Sequence, residues 1–144
     1  MERVIKIASL MIVWLCLTSC YESPHIDFHS YQELSEYNFI SNGWIPEVVG
    51  NDAYSIQETY DVNNNHLFGK FDFKDRPKYD SIIKNYLIAE EDSLLVRIKE
   101  INKPRCPEWF IPKENLTKDK CVMVKVENFY LIMEKKRDRI YYLR

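Results

Sequence analysis

The chain has 144 residues, of which 46% are hydrophobic, 29% are charged and only 3 are glycine. That is enough apolar sequence for a single core, too much for a disordered chain, and far too little glycine for a collagen-like array. Lys and Arg total 20 against 22 Asp and Glu, a formal charge of -2 that gives no basis for a nucleic-acid partner.

The N-terminus reads MERVIKIASLMIVWLCLTSC, with Arg3 and Lys6 ahead of an uncharged run from Ile7 to Leu17. Eleven helical residues reach only about 16 Å, half the hydrocarbon thickness, so the run fits a secretory signal and not a membrane span. Leu17-Thr18-Ser19-Cys20 resembles the lipobox of bacterial lipoproteins: an aliphatic residue, two small ones, then cysteine. The resemblance implies cleavage after Ser19. It also implies a thioether-linked diacylglycerol on Cys20 and a further acyl chain, such as palmitate, on its amine. Each buried methylene contributes about 0.8 kcal/mol, so two or more chains hold stably where one is marginal. Tyr21 occupies the place where Asp is the inner-membrane retention signal. For a Gram-negative source the resemblance therefore implies the outer membrane, facing the periplasm.

Residues 1–19 are thus expected as the signal peptide, 20–29 as the lipidated cysteine and a short tether, and 30–144 as one globular domain. Removing the signal from 144 residues leaves 125 with a net charge of -3, because Glu2, Arg3 and Lys6 depart with it. Ser30-Tyr31-Gln32-Glu33 fits a capping box, and the helix it opens is expected to stop at Gly43. Tyr54 to Tyr60 alternates, with Tyr54, Ile56 and Tyr60 on one side. Leu67 to Phe73 alternates likewise, and the asparagines of Asp61-Val62-Asn63-Asn64-Asn65 suit a turn between two strands. From Asp75 to Ala89 the spacing of Tyr79, Ile82, Ile83, Tyr86 and Leu87 predicts an amphipathic helix capped by Asp75. Alternation predicts a strand over Leu94 to Ile101, and Pro104, Pro107 and Pro112 mark an irregular stretch carrying Trp109 and Phe110. Cys121 to Glu134 is β-rich, and Arg139 to Leu143 closes a hairpin across Lys135-Lys136-Arg137-Asp138. The expected fold is α+β: a small antiparallel sheet packed by two helices.

Gly43-Trp44-Ile45-Pro46, Ser55-Ile56-Gln57-Glu58, Tyr60 through Asn65 and Phe71-Asp72-Phe73 resemble a pattern of small uncharacterised bacterial proteins. That pattern runs GWLP, a DI-x-E segment, HDLDTN and an F-x-F strand. A later Trp-Trp-Pro-like turn is similar to Trp109-Phe110-Ile111-Pro112. Here Ser55 replaces an Asp, Tyr60 a His and Asn63 a second Asp. The resemblance implies a compact envelope-associated domain and no particular activity.

Once Cys16 leaves with the signal and Cys20 serves as the anchor, Cys106 and Cys121 remain, fifteen positions apart. In an oxidising compartment they make a disulfide pair, contributing about 3 kcal/mol by loop closure. Zinc would need two further ligands, and no His or Cys lies between them; a pair of buried free thiols is the other alternative. Asp61, Asn63, Asn65 and Asp72 echo a calcium loop, but His66 stands where glycine is needed and the last position is not Glu. His25 and His29 would share a helix face, yet the segment adjoins the tether. Glu90, Glu91 and Asp92 read as solvated charges, and Lys135, Lys136, Arg137 and Arg139 as a basic hairpin tip that either stays solvated or meets anionic headgroups.

No nucleophile elbow, zinc-protease helix or phosphate loop occurs, and no cofactor or metal is implied. The expected function is that of a membrane-anchored, non-enzymatic binding module, with the bilayer as one partner and an envelope protein as another. A protective role against an exported toxin or lytic enzyme is a sub-case. The alternative is a small hydrolase acting on glycan or peptide, recognisable by a cleft holding an acid and a base of separated pKa. Trp44, Trp109 and Phe110 are the candidate interaction surface.

Overall fold

The computed structural model describes residues 24–61, 65–88 and 106–144. The signal peptide, Cys20, the carboxylates Glu90, Glu91 and Asp92, and the strand expected over Leu94 to Ile101 lie outside the described residues.

The backbone enters the sheet earlier than the sequence suggests. His25–Ser30, assigned above to the tether, is edge strand β1. Its ladder with β2 pairs His25 with Thr59 and Phe28 with Ile56. Ile26 and Phe28 turn toward the core, which anchors the strand, while His25, Asp27 and His29 take the other side.

Helix α1, Tyr31–Ser35, follows at once. The capping box forms with one change: the Glu33 amide donates to Ser30 Oγ at 3.3 Å, and Glu33 Oε2 accepts from the His29 amide at 2.8 Å, not from that of Ser30. The helix ends well before Gly43, and residues 36–53 are turns and bends. Gly43, at φ +70, closes one of them.

Strands β2, Tyr54–Asp61, and β3, His66–Asp72, form the expected antiparallel pair. A bulge interrupts β2: Ser55 has φ +49 and the register shifts between Tyr54 and Gln57. The bulge removes Tyr54 from the side of Ile56 and Tyr60, where alternation puts it, and leaves it 37% exposed.

Helix α2 spans Arg76–Lys84, with Asp75 Oδ1 accepting from the Lys78 amide at 3.1 Å. It stops short of Ala89 because Leu87–Ile88 pair with Lys125 and Val124 as strand β4, so their backbone groups join the sheet and not another helical turn. Strands β5, Cys121–Val126, β6, Phe129–Glu134, and β7, Arg139–Leu143, complete the sheet. The order is β1-β2-β3-β7-β6-β5-β4, and every neighbouring pair is antiparallel.

The sheet dominates the domain. One face carries Ile56, Leu67, Phe71, Leu131, Ile140 and Tyr142, and this cluster takes in Leu34 of α1 and Tyr79 and Ile83 of α2, together with Ile45, Val48 and Val49 from the irregular 36–53 stretch. The other face carries Phe68, Met123, Ile132, Tyr141 and Leu143 beneath Phe110, Ile111 and Leu116. The small antiparallel sheet expected from the sequence is present, and it outweighs the helices. The helices have only 5 and 9 residues, and coil segments supply much of the cover.

Candidate functional site

The aromatic residues singled out from the sequence divide between the two faces. Trp44 packs against the first cluster, its ring edge-on to Tyr60 at 5.0 Å and beneath the Arg144 guanidinium at 5.7 Å. Trp109 and Phe110 belong to the second cluster. Phe110 is only 5% exposed, wedged edge-on between Phe68 at 4.9 Å and Tyr141 at 5.4 Å, so it is core. The three do not make one surface.

Trp109 does border an open polar region. Strands β1 to β3 present His25, Asp27, Gln57, Thr59 and Lys70 on the second face, none of them buried. Lys70 Nζ lies 5.3 Å from the Trp109 ring centroid, and the His25 ring is 6.3 Å away. His25 Nδ1 meets Thr59 Oγ1 at 3.0 Å while Nε2 faces Asp27 Oδ2 at 2.8 Å, which fixes the imidazole plane. Partial burial and the neighbouring Arg139 hold the Lys70 pKa below its ordinary value, opposed by Asp72 and Asp27. A partly buried cation on a tryptophan face, beside an oriented histidine and a carboxylate, is suited to holding a polar partner on a rigid platform.

The histidines do not gather a metal. His25 and His29 stand four residues apart on a strand and not on a helix, a separation of about 13 Å. His29 Nδ1 faces Glu33 Oε2 at 3.4 Å. Asp72 of the calcium-loop echo is likewise set apart: it pairs with Tyr54 at the end of β3 away from the Asp61–His66 pair, and Arg139 holds it through two bonds of 2.5 and 2.9 Å, while Asn63 lies outside the described residues. Among the described residues no group of three or more His, Cys, Asp or Glu could hold a metal ion.

Cys106 and Cys121 are both thiols in this structure and share the second cluster. Cys121 Sγ donates to the Asn115 carbonyl at 3.3 Å, and burial with nearby Glu134 pushes its pKa up to about 11. Burial also raises that of Cys106.

The carboxyl that sequence reading passed over is Glu58. It is 1% exposed on the first face, in the row Glu58–Gly69–Tyr142 across β2, β3 and β7. Tyr142 Oη donates to Glu58 Oε2 at 3.0 Å, while Oε1 has no partner among the described residues. Gly69 makes the arrangement possible, since a Cβ there would fall inside the Tyr142 ring. Burial drives the Glu58 pKa up to about 8, against the Tyr142 hydrogen bond and the Arg144 charge, so the carboxyl is predominantly protonated at neutral pH. Its position between Ile56 and Tyr60, an acid on the apolar side of an alternating strand, was the signal available in the sequence. The group is enclosed, which marks it as part of the core's polar wiring. Arg144 sits at the same end, donating to the Gly43 carbonyl at 2.8 Å and to Asn65 Oδ1 at 3.1 Å.

These features define a small, sheet-dominated domain with a polar, tryptophan-bordered platform on one face and a buried acid under the other. Residues 22–72 match the family model of the YbbD head domain, a similarity running from just before β1 to the end of β3 and including the Gly43–Pro46 and Phe71-Asp72 segments. No curated protein and no solved structure matches the chain.

Proposed function

We propose that the chain is an envelope lipoprotein, anchored through acylated Cys20, whose folded domain is a non-enzymatic binding module. The two short helices, in this reading, brace the face that holds Glu58, and the β1–β3 part of the opposite face, beside the Phe110–Leu116 cover, is left for recognition. The observation that carries the binding role is the platform of His25, Asp27, Thr59 and Lys70 bordered by Trp109: side chains on paired strands, held by mutual contacts and open to a partner. The anchor is supported by the lipobox resemblance and by spacing. Strand β1 starts five residues after Cys20, a reach of no more than about 18 Å, so an acylated cysteine would keep this platform beside the membrane. A partner in the envelope, including an exported toxin or lytic enzyme to be neutralised, fits that placement.

Cys20→Ala tests the anchor. The variant is expected to leave the membrane fraction and to lose labelled palmitate; continued sedimentation with membranes refutes it. Envelope extracts passed over the full-length protein test the binding role, with a retained partner expected to be lost on Trp109→Ala or Lys70→Ala. A partner retained equally by both variants would move recognition away from the platform.

A further inference from the structure

A cleft of about 390 Å³ opens between the segment leading into β5 and the β6–β7 turn. Asn115, Asp119, Lys120, Glu134, Lys136 and Arg137 line it, together with Cys121. That volume lies in the range of small-molecule sites.

The cleft is preorganised. Arg76, the first residue of α2, donates to three carbonyls of the turn: Glu134 at 2.9 Å, Lys135 at 2.9 Å and Arg137 at 2.8 Å. It also pairs with Asp138 at 3.2 Å and Asp80 at 3.4 Å. One buttressing guanidinium thus holds the whole β6–β7 connection. From the turn, Lys135 Nζ reaches across to the Lys118 carbonyl at 2.5 Å, and on the opposite lip Lys120 Nζ donates to the Glu114 carbonyl and Asn115 Oδ1, both at 2.9 Å.

The charges there are only partly compensated. Lys120 and Lys135 bond to neutral oxygens and both feel the nearby Asp119 carboxylate. The side chains of Lys136 and Arg137 have no hydrogen bond or ion pair among the described residues. The carboxylates of Glu134 and Asp119 share the lining and accept hydrogen bonds, although one Glu134 oxygen, Oε2, is enclosed without a donor among the described residues and out of a ligand's reach. A group that suits all of this carries negative charge for the cations and hydroxyl donors for Glu134, Asp119 and Asn115. An acidic protein surface supplies the first but few of the second, and the cleft has no large aromatic ring to anchor a protein side chain.

We infer that the cleft between the β5 entry and the β6–β7 turn binds a carboxylated or phosphorylated sugar, with Lys136 and Arg137 on its acid group and Glu134 on its hydroxyls. Such a sugar can be a free glycan or the headgroup of a glycolipid. The turn lies at the end of the ladder opposite His25, where the chain arrives from Cys20, and this favours a ligand other than the headgroups around the anchor. The inference deepens the binding-module reading and rests on it.

The test uses full-length protein in detergent micelles, titrated with glucuronate, glucose 6-phosphate, uncharged glucose and inorganic phosphate. Saturable binding of at least one acidic sugar is expected, tenfold or more tighter than glucose. Lys136→Ala with Arg137→Ala is expected to weaken it at least tenfold. Glu134→Gln is expected to weaken the sugar severalfold and to leave inorganic phosphate unchanged. Both variants alter the cleft's rim, and tryptophan emission verifies that they fold.

Three results overturn the proposal: no acidic sugar binds, binding ignores the Lys136/Arg137 pair, or poly-glutamate binds more tightly than either sugar. Vesicles of phosphatidylglycerol that bind through Lys136 and Arg137 while soluble sugars do not would assign the tip to the bilayer and also overturn it. Continued sedimentation of Cys20→Ala with membranes would remove the anchor and leave these titrations untouched, so the two failures are distinguishable.

Discussion

Replacing Glu58 by Gln removes a buried proton-binding group while keeping its shape and its bond to Tyr142. The consequence is a change in how stability depends on pH. In the unfolded chain a glutamate titrates near 4.5, whereas burial raises it to about 8 in the fold. Between those values the native state holds a proton that the unfolded state releases, so stability is fully present below pH 4.5 and falls as pH rises through about 8. At about 1.4 kcal/mol per decade of proton concentration, the full loss is about 5 kcal/mol, a large share of a small domain's total. At pH 7 the wild type has already lost about 3 kcal/mol of it. Glutamine carries no such proton. Urea unfolding followed by tryptophan emission at pH 5, 7 and 9 isolates the effect, because the other titrating groups are common to both proteins. The variant is expected to gain about 4 kcal/mol on the wild type between pH 5 and pH 9. Parallel curves over that range would show that Glu58 is hydrated or ionised in the fold and would refute the reasoning.

Three further outcomes follow from the packing. Gly69→Ala drives a methyl group into the Tyr142 ring and separates it from Glu58, so a loss of about 3 kcal/mol is expected from overpacking and the broken bond; thermal melting measures it, and an unchanged midpoint would contradict the row Glu58–Gly69–Tyr142. In protein exported to an oxidising compartment, Cys106 and Cys121 are expected to join, with the mass lower by two hydrogens and about 3 kcal/mol lost on reduction; two free thiols by alkylation would defeat the pairing, and in that reduced state Cys121 is expected to alkylate slowly at pH 8 because its pKa is pushed to about 11. Arg76→Met frees three carbonyls of the β6–β7 turn, and amide exchange at residues 135–138 is expected to quicken at least tenfold. Unchanged exchange there would remove Arg76 as the buttress.

The local signals that proved reliable were those in which a short stretch determines its own geometry. Ser30 and Asp75 cap helices where the sequence reads caps, because the bond spans three residues. The apolar alternation of Leu67 to Phe73 places Leu67, Phe71 and Phe73 on one face, since a half-buried strand must repeat every second residue. Positions set by distant partners were not legible. The length of α2 depends on β5, a strand nearly forty residues away in sequence, which draws Leu87 and Ile88 into the sheet. The tether became an edge strand because Ile26 and Phe28 find a core supplied by β2 and the 36–53 segment.

The sequence by itself determined the apolar rhythm of the strands and the helix caps, and it carries the lipobox resemblance on which the proposed anchor rests, all properties of neighbouring residues. Only the tertiary structure decided that Trp44 and Trp109 occupy opposite faces, that Glu58 is sealed beneath Tyr142, and that Arg76 carries the basic turn. Those outcomes follow from strand order, and strand order is chosen by which faces bury together across the whole chain, a balance no local window contains.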